Sequence, residues 1–344
     1  MDLFELTRAL VDIESVTNNE AVCGEFLFDQ LAPLAAKYGG RIERMPVEAQ
    51  RFNVFASWGR PIVTLSTHMD TVPPFFPLSE DNEFLWGRGA CDAKGIIAAM
   101  VCAVEKLLIE GISDLGLLFV VGEERNSAGA RVAAKTPRGS RYLINGEPTE
   151  NKLCLASKGA LRFELTARGQ LAHSGYPELG RSAIDALLDV LEDVRHLALP
   201  ADSLLGKSTL NIGTISGGRA PNVVADEARA EIMFRLVGDA TPVREAVHEA
   251  VAGRADVREV LYTPVFRFSA LDGLPTSVVA FTTDVPSLHE TWGTPFLIGP
   301  GSIQVAHTAE ERIAKRELRE AVPIYTSMVK QLLASHAAAS GKSQ

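Results

Sequence analysis

Residues 62–70 read Ile-Val-Thr-Leu-Ser-Thr-His-Met-Asp, and residues 115–124 read Leu-Gly-Leu-Leu-Phe-Val-Val-Gly-Glu-Glu. Each is a short apolar run that gives way to a turn carrying histidine or carboxylates. Short apolar runs bounded by turn signals suit strands buried on both faces, as inside a parallel sheet. Between them, Ala93 to Glu110 is longer and apolar, with Gly111 as a stop signal, and reads as a buried helix. A third strand-like run, Tyr142 to Asn145, follows. Strands alternating with helices predict an α/β fold, a mostly parallel sheet with helices on both faces.

In such folds the loops at the carboxyl ends of the strands carry the chemistry. Five islands of metal-ligand residue types sit in such places. They are His68 with Asp70, Asp92 within Gly87 to Gly95, Glu123-Glu124 after Gly122, Glu147 before Pro148, and His307 after Gly299-Pro300-Gly301. Each has an ordinary explanation taken singly. A loop histidine needs no metal, an aspartate before a helix is a good N-cap, and paired glutamates are usually a solvated turn. Five in order are harder to explain that way. Two imidazoles with several carboxylates suit a pair of zinc-like ions. Adjacent residues point in different directions, so one of Glu123 and Glu124 can bind metal while the other faces substrate as a general base. His307 stands just before what reads as an acidic helical start.

The remaining pattern divides the chain. Residues 3–14 and 20–38 have helical periodicity, and Arg41 to Val47 with Phe52 to Trp58 alternate like a hairpin. From 159 onward the order is strand, helix, two strands, helix, strand, that of a ferredoxin-like α+β sandwich. If His307 joins the earlier ligands, that segment is an insertion. The expected division is therefore 1–158 with 271–344 as a discontinuous catalytic domain, and 159–270 as an inserted domain, with hinges near 158 and 270. A helix is expected over 316–335 and a disordered polar tail over 337–344.

Composition narrows the function. The net charge is -9 with 22% charged residues, and no basic block appears, so no nucleic-acid partner is expected. No apolar run reaches the ~18 residues of a membrane span, and the acidic start does not read as a signal peptide. The four cysteines lack Cys-x-x-Cys spacing and read as buried thiols of a cytoplasmic protein.

Several stretches together resemble the M20 family of co-catalytic zinc hydrolases. They are Ser66 to Pro73, Gly87 to Gly95, Gly122-Glu123-Glu124, Gly146 to Thr149, Gly169 to Gly175 (GQLAHSG), Gly217 to Val224 (GGRAPNVV) and Gly299 to His307. The resemblance implies two zinc ions, with cobalt or manganese able to substitute. His68 and Glu147 would hold one ion, Glu124 and His307 the other, and Asp92 would bridge them. Glu123 would be the general base and Asp70 would orient His68. The inserted domain would dimerise, and His173 would donate a hydrogen bond to the oxyanion in the neighbouring subunit's site. Asn222 and Arg235 match substrate-contacting positions. Cys91 departs from the residue many family deacylases carry before the bridging aspartate, and it is not expected to bind metal. The Gly-Glu-Pro-Thr context of Glu147 leans to the deacylase side. The expected activity is therefore removal of an N-acyl group from an amino acid, acetylornithine deacetylase-like, in arginine or lysine biosynthesis, with a carrier-protein substrate also conceivable. The alternative is a metallo-dipeptidase or carboxypeptidase on the same scaffold. A non-catalytic binding protein is a further rival, disfavoured because every catalytic position is filled.

Overall fold

A computed structural model describes residues 1–341. The chain forms two compact units. Among the described residues, the first comprises 1–155, 268–277 and 283–341, and the second comprises 156–267 and 278–282.

The first unit is built on a mixed sheet. Six of its strands lie in the order Arg41–Glu48, Arg51–Trp58, Leu115–Val120, Val63–His68, Tyr142–Asn145, Thr294–Leu297, and the sheet continues antiparallel into Leu153–Ser157. The last four of these six are mutually parallel, and the first two form an antiparallel hairpin along one side. Every residue of Val63–His68 and Leu115–Val120 is buried. That is why these runs are apolar without alternating: both sheet faces are covered. On one face Leu117 and Phe119 pack with helices Leu3–Val11, Ala21–Lys37, Gly95–Ile109 and Lys315–Gly341. On the other, Leu118 and Val120 pack against helices Ala128–Lys135 and Val285–Trp292.

Three local readings differ from the structure. The acidic segment after His307 is not a helix start: Arg312–Ala314 is a strand paired with Phe84–Trp86, and the helix begins at Lys315. That helix runs on to Gly341, through the expected tail, because Ala337, Ala338 and Ala339 are strong helix formers. The rest of the tail, 342–344, lies outside the described residues. The buried helix starts at Gly95 rather than Ala93, because Ala90–Lys94 is an irregular turn with non-helical dihedrals at Asp92 and Ala93.

The second unit is a four-stranded antiparallel sheet in the order Thr209–Gly217, Glu227–Leu236, Gly159–Arg168, Asp256–Thr263. With helices Ala183–Arg195 and Thr241–Val251, this is the ferredoxin-like arrangement expected from the element order. Leu161, Phe163, Leu165 and Ala167 alternate into its core with Ile232 and Phe234, as strands with one covered face require.

Among the described residues, no helix is long and apolar enough to cross a membrane.

Candidate metal centre

The parallel register aligns the carboxyl ends of the three strands that bear the ligands. His68 stands opposite Val120, and Ser66 stands opposite Asn145. His68 ends its strand, Glu123 and Glu124 follow theirs by a turn, and Glu147 lies two residues past the third. At Gly122 the backbone has φ +80°, and a Cβ there would lie 2.9 Å from the Arg51 guanidinium. Glycine therefore permits the turn that aims the next two amides inward.

Those amides meet Asp70. The Glu123 N–H donates to Asp70 Oδ1 at 3.0 Å, the Glu124 N–H to Oδ2 at 3.2 Å, and the Thr17 hydroxyl to Oδ2 at 2.8 Å. Asp70 is fully buried. His68 Nδ1 lies 2.9 Å from the Asp70 backbone oxygen and 3.6 Å from its carboxylate. Asp70 thus holds the imidazole chiefly through its carbonyl, while its carboxylate fixes the two-glutamate turn.

The five ligand candidates sort into two groups around one carboxylate. Asp92 Oδ1 lies 3.0 Å from His68 Nε2, which is 4.0 Å from Glu147 Oε2. Asp92 Oδ2 lies 3.2 Å from His307 Nε2, which is 2.9 Å from Glu124 Oε1. One oxygen of Asp92 faces each group, the arrangement a bridging ligand needs. Ligand atoms of His68, Asp92 and Glu124 all lie within 4.8 Å of one another.

Charge states in the protein alone show how unbalanced this cluster is. Burial, then repulsion from Glu147, pushes the Glu123 carboxyl well above its ordinary range. Burial does the same to Glu147, and more weakly to Glu124. His307, hydrogen-bonded to Asp92 and Glu124, is pushed up to about 10. Burial alone would depress His68, but Asp70 and Asp92 carry it well above the usual imidazole range. Burial also works against Asp92, yet His307 and His68 hold it far below an ordinary carboxylate. Glu147 Oε1 is buried with no hydrogen-bond donor among the described residues. An orphaned carboxylate oxygen among clustered acids is costly unless cations supply the missing charge. Carboxylate and imidazole donors suit hard or borderline divalent ions, so these residues fit a pair of them.

The other expected residues lie in the second unit. His173 and Asn222 share a short antiparallel ladder: His173 pairs with Val223, and the Ser174 N–H donates to the Asn222 carbonyl. The Gly175 N–H donates to His173 Nδ1 at 3.0 Å. Nδ1 is thereby an acceptor, so the neutral ring carries its proton on Nε2. His173 is exposed. Arg235, half-buried on strand Glu227–Leu236, has its pKa depressed by burial and has no ion-pair partner among the described residues.

Some residues here carried no sequence signal. Thr17 lies in an unremarkable loop. Asp284, 1% exposed, has its carboxyl raised to about 6 by burial and feels the charges of His68 and Asp70. Glu311, also 1% exposed, holds the backbone of the Asp92 turn.

Residues 155–259 match the family model described as the peptidase dimerisation domain of M20. A peptidase M20 domain-containing protein of Schizosaccharomyces pombe is 38% identical over 340 residues, spanning 95% of this chain and 84% of the relative. A probable carboxypeptidase of Aspergillus flavus is 39% identical over 375 residues, spanning 95% and 86%. In fold, the chain is similar to a Staphylococcus aureus tripeptidase (TM-score 0.81, 20% identity, 96% of this chain and 97% of that one). It is also similar to a dinuclear-metal-binding M20 peptidase of Bacillus subtilis (TM-score 0.67, 16% identity, 94% and 95%). The chain belongs to the M20 peptidase family, hydrolases acting on amide or peptide bonds.

Proposed function

We propose that the chain is a two-metal carboxypeptidase that releases the C-terminal residue of short peptides. One observation carries the chemistry: Asp92 presents one oxygen to His68 and the other to His307. The peptide substrate is supported by relatives of nearly full coverage named as probable carboxypeptidases. These relatives favour the peptidase reading over N-acyl amino acid hydrolysis, and they lend no support to a carrier-protein substrate.

His68, Asp92 and Glu147 would hold one ion, and Asp92, Glu124 and His307 the other, zinc being the proposed metal. Such a pair, when bound, polarises the scissile carbonyl and makes an attacking water acidic at neutral pH. Glu123 takes the proton from that water and returns it to the leaving amine. A carboxylate outside both ligand groups is free to accept a proton and to return it. Arg235 would receive the substrate's terminal carboxylate. A partly desolvated guanidinium without an ion-pair partner gains most from a bidentate anion. Asn222, which lies on the His173 ladder, would contact the substrate as well.

The second unit would pair two copies, with His173 serving the neighbouring site. Its Nε2–H is free to donate to the developing oxyanion. His173→Ala should therefore fold, dimerise and keep its metal, with kcat reduced about 10²- to 10³-fold. A wild-type kcat would remove His173 from the mechanism. Sedimentation of the full chain as a monomer would remove the dimer.

The deciding assay uses zinc-loaded protein on dipeptides and tripeptides with free or amidated C-termini, and on N-acetyl and N-succinyl amino acids, with and without chelator. Chelator-sensitive cleavage of free-acid peptides only is expected. Release from acyl amino acids alone would return the protein to the deacylase branch.

A further inference from the structure

We infer that Glu311 is a positioning residue that locks the Asp92 turn to the segment carrying His307, and so sets the affinity of the metal pair. Glu311 lies four residues after His307 and is buried together with Arg88. Its Oε2 accepts from Arg88 Nη1 at 2.6 Å. Its Oε1 accepts from the Gly89 N–H at 2.9 Å and from the Asp92 N–H at 3.3 Å. Its backbone oxygen accepts from the Gly87 N–H at 3.1 Å. One residue therefore satisfies three backbone amides across 87–92, a turn whose irregular dihedrals leave no regular secondary structure to hold it.

The neighbouring contacts make the turn rigid. Arg88 Nε donates to the Pro74 carbonyl at 3.1 Å, and its guanidinium lies over the Phe76 ring at 4.8 Å from the centroid. Immediately after Glu311, Arg312–Ala314 pairs with Phe84–Trp86, the strand that leads into the turn. Asp92 must present one oxygen to each ligand group, so a small rotation of its backbone would disengage one of them. The same residue anchors the chain that returns from His307, so it fixes both of these ligand segments against each other. Glu311 itself contacts no reacting group. It acts on the metals only through Asp92 and the chain from His307.

The inference rests on the metal-centre part of the proposed function and not on its peptide specificity. The test is zinc affinity by competition with a chromophoric chelator, together with the visible spectrum of the cobalt-loaded protein. Both are read on folded protein without substrate. In Glu311→Gln the amide keeps one acceptor oxygen and sets an N–H₂ against donors. Zinc should bind roughly 10- to 100-fold more weakly, with an altered cobalt spectrum. Glu310→Gln, whose parent side chain is 80% exposed, should match wild type. The double variant R88M/E311Q removes the unpaired buried charge. It should regain thermal stability but not zinc affinity, and it carries the test if the single variant does not fold. Wild-type affinity and spectrum in Glu311→Gln, or affinity restored along with stability in the double variant, would overturn the inference. A wild-type chain that takes up no zinc would instead overturn the metal-centre reading on which it rests.

Discussion

Glu123→Gln should yield a folded, fully metal-loaded protein whose kcat falls by about 10²- to 10⁴-fold, the range for removing a general acid–base group. The substitution preserves the shape of the side chain and leaves the Glu123 N–H bond to Asp70 untouched. Neither ligand group around Asp92 uses the Glu123 carboxylate. What is lost is the ability to carry a proton from water to the leaving amine. The neighbouring Glu124→Gln makes the contrast. Its Oε1 lies 2.9 Å from His307 Nε2 within the second ligand group, so that variant should lose metal as well as activity. Metal content by elemental analysis beside kcat separates the two. If Glu123→Gln turns over within about threefold of wild type, or if it loses metal while Glu124→Gln keeps it, the roles of the two glutamates are wrong.

This division of labour is only partly legible in the chain. A turn after a buried strand places Glu123 and Glu124 at the sheet's carboxyl edge, and apolar runs of strand length announce that edge. The same logic finds His68 and Glu147. Which glutamate faces the ligand group depends on the φ of Gly122 and on the amides captured by Asp70, and neither is written in a local pattern. Glu311 shows the limit more sharply. It sits beside Glu310 in an acidic stretch that reads as one solvated helix start, yet Glu310 is exposed and Glu311 is 1% exposed. Only the long-range pairing of Arg312–Ala314 with Phe84–Trp86 turns it inward. Helix Val285–Trp292 is not among the elements expected from the sequence. Val285, Leu288 and Trp292 are its buried residues, spaced at helical intervals over a stretch too short for periodicity to stand out. The ferredoxin-like unit is the most legible, because its two central strands, Gly159–Arg168 and Glu227–Leu236, alternate buried and more open positions along their length.

Removing the metals should cost more stability at pH 8 than at pH 5, because the shifted groups titrating in that window all push the metal-free protein the same way. Glu123, Glu124 and Glu147 have carboxyls raised in the folded state, and Asp284 is raised to about 6. For such groups the folded chain holds protons that the unfolded chain releases. Stability therefore falls as pH rises from the ordinary carboxylate range through the folded pKa. His307, raised to about 10, and His68, raised well above its ordinary value, follow the rule for histidines that gain partners. Their contribution is complete below about pH 6.5 and fades as pH climbs toward the folded values. Asp70 and Asp92 are depressed, so their stabilising contribution is lost only in stronger acid and adds no slope between pH 5 and 8. The metal-free Tm should accordingly decline across that interval. Bound ions reverse the balance, because they require deprotonated ligands and neutralise the crowded carboxylates. At metal concentrations about 1,000-fold above Kd, ligand linkage supplies about 4 kcal/mol for each ion. At roughly 2–4 °C per kcal/mol for a unit of this size, that is a Tm gain on the order of 10 °C per ion. Scanning calorimetry of chelator-treated and zinc-loaded protein at pH 5, 6.5 and 8 checks this directly. A metal-induced gain that stays constant or shrinks toward pH 8 would mean that the cluster around Asp92 is not where the ions bind.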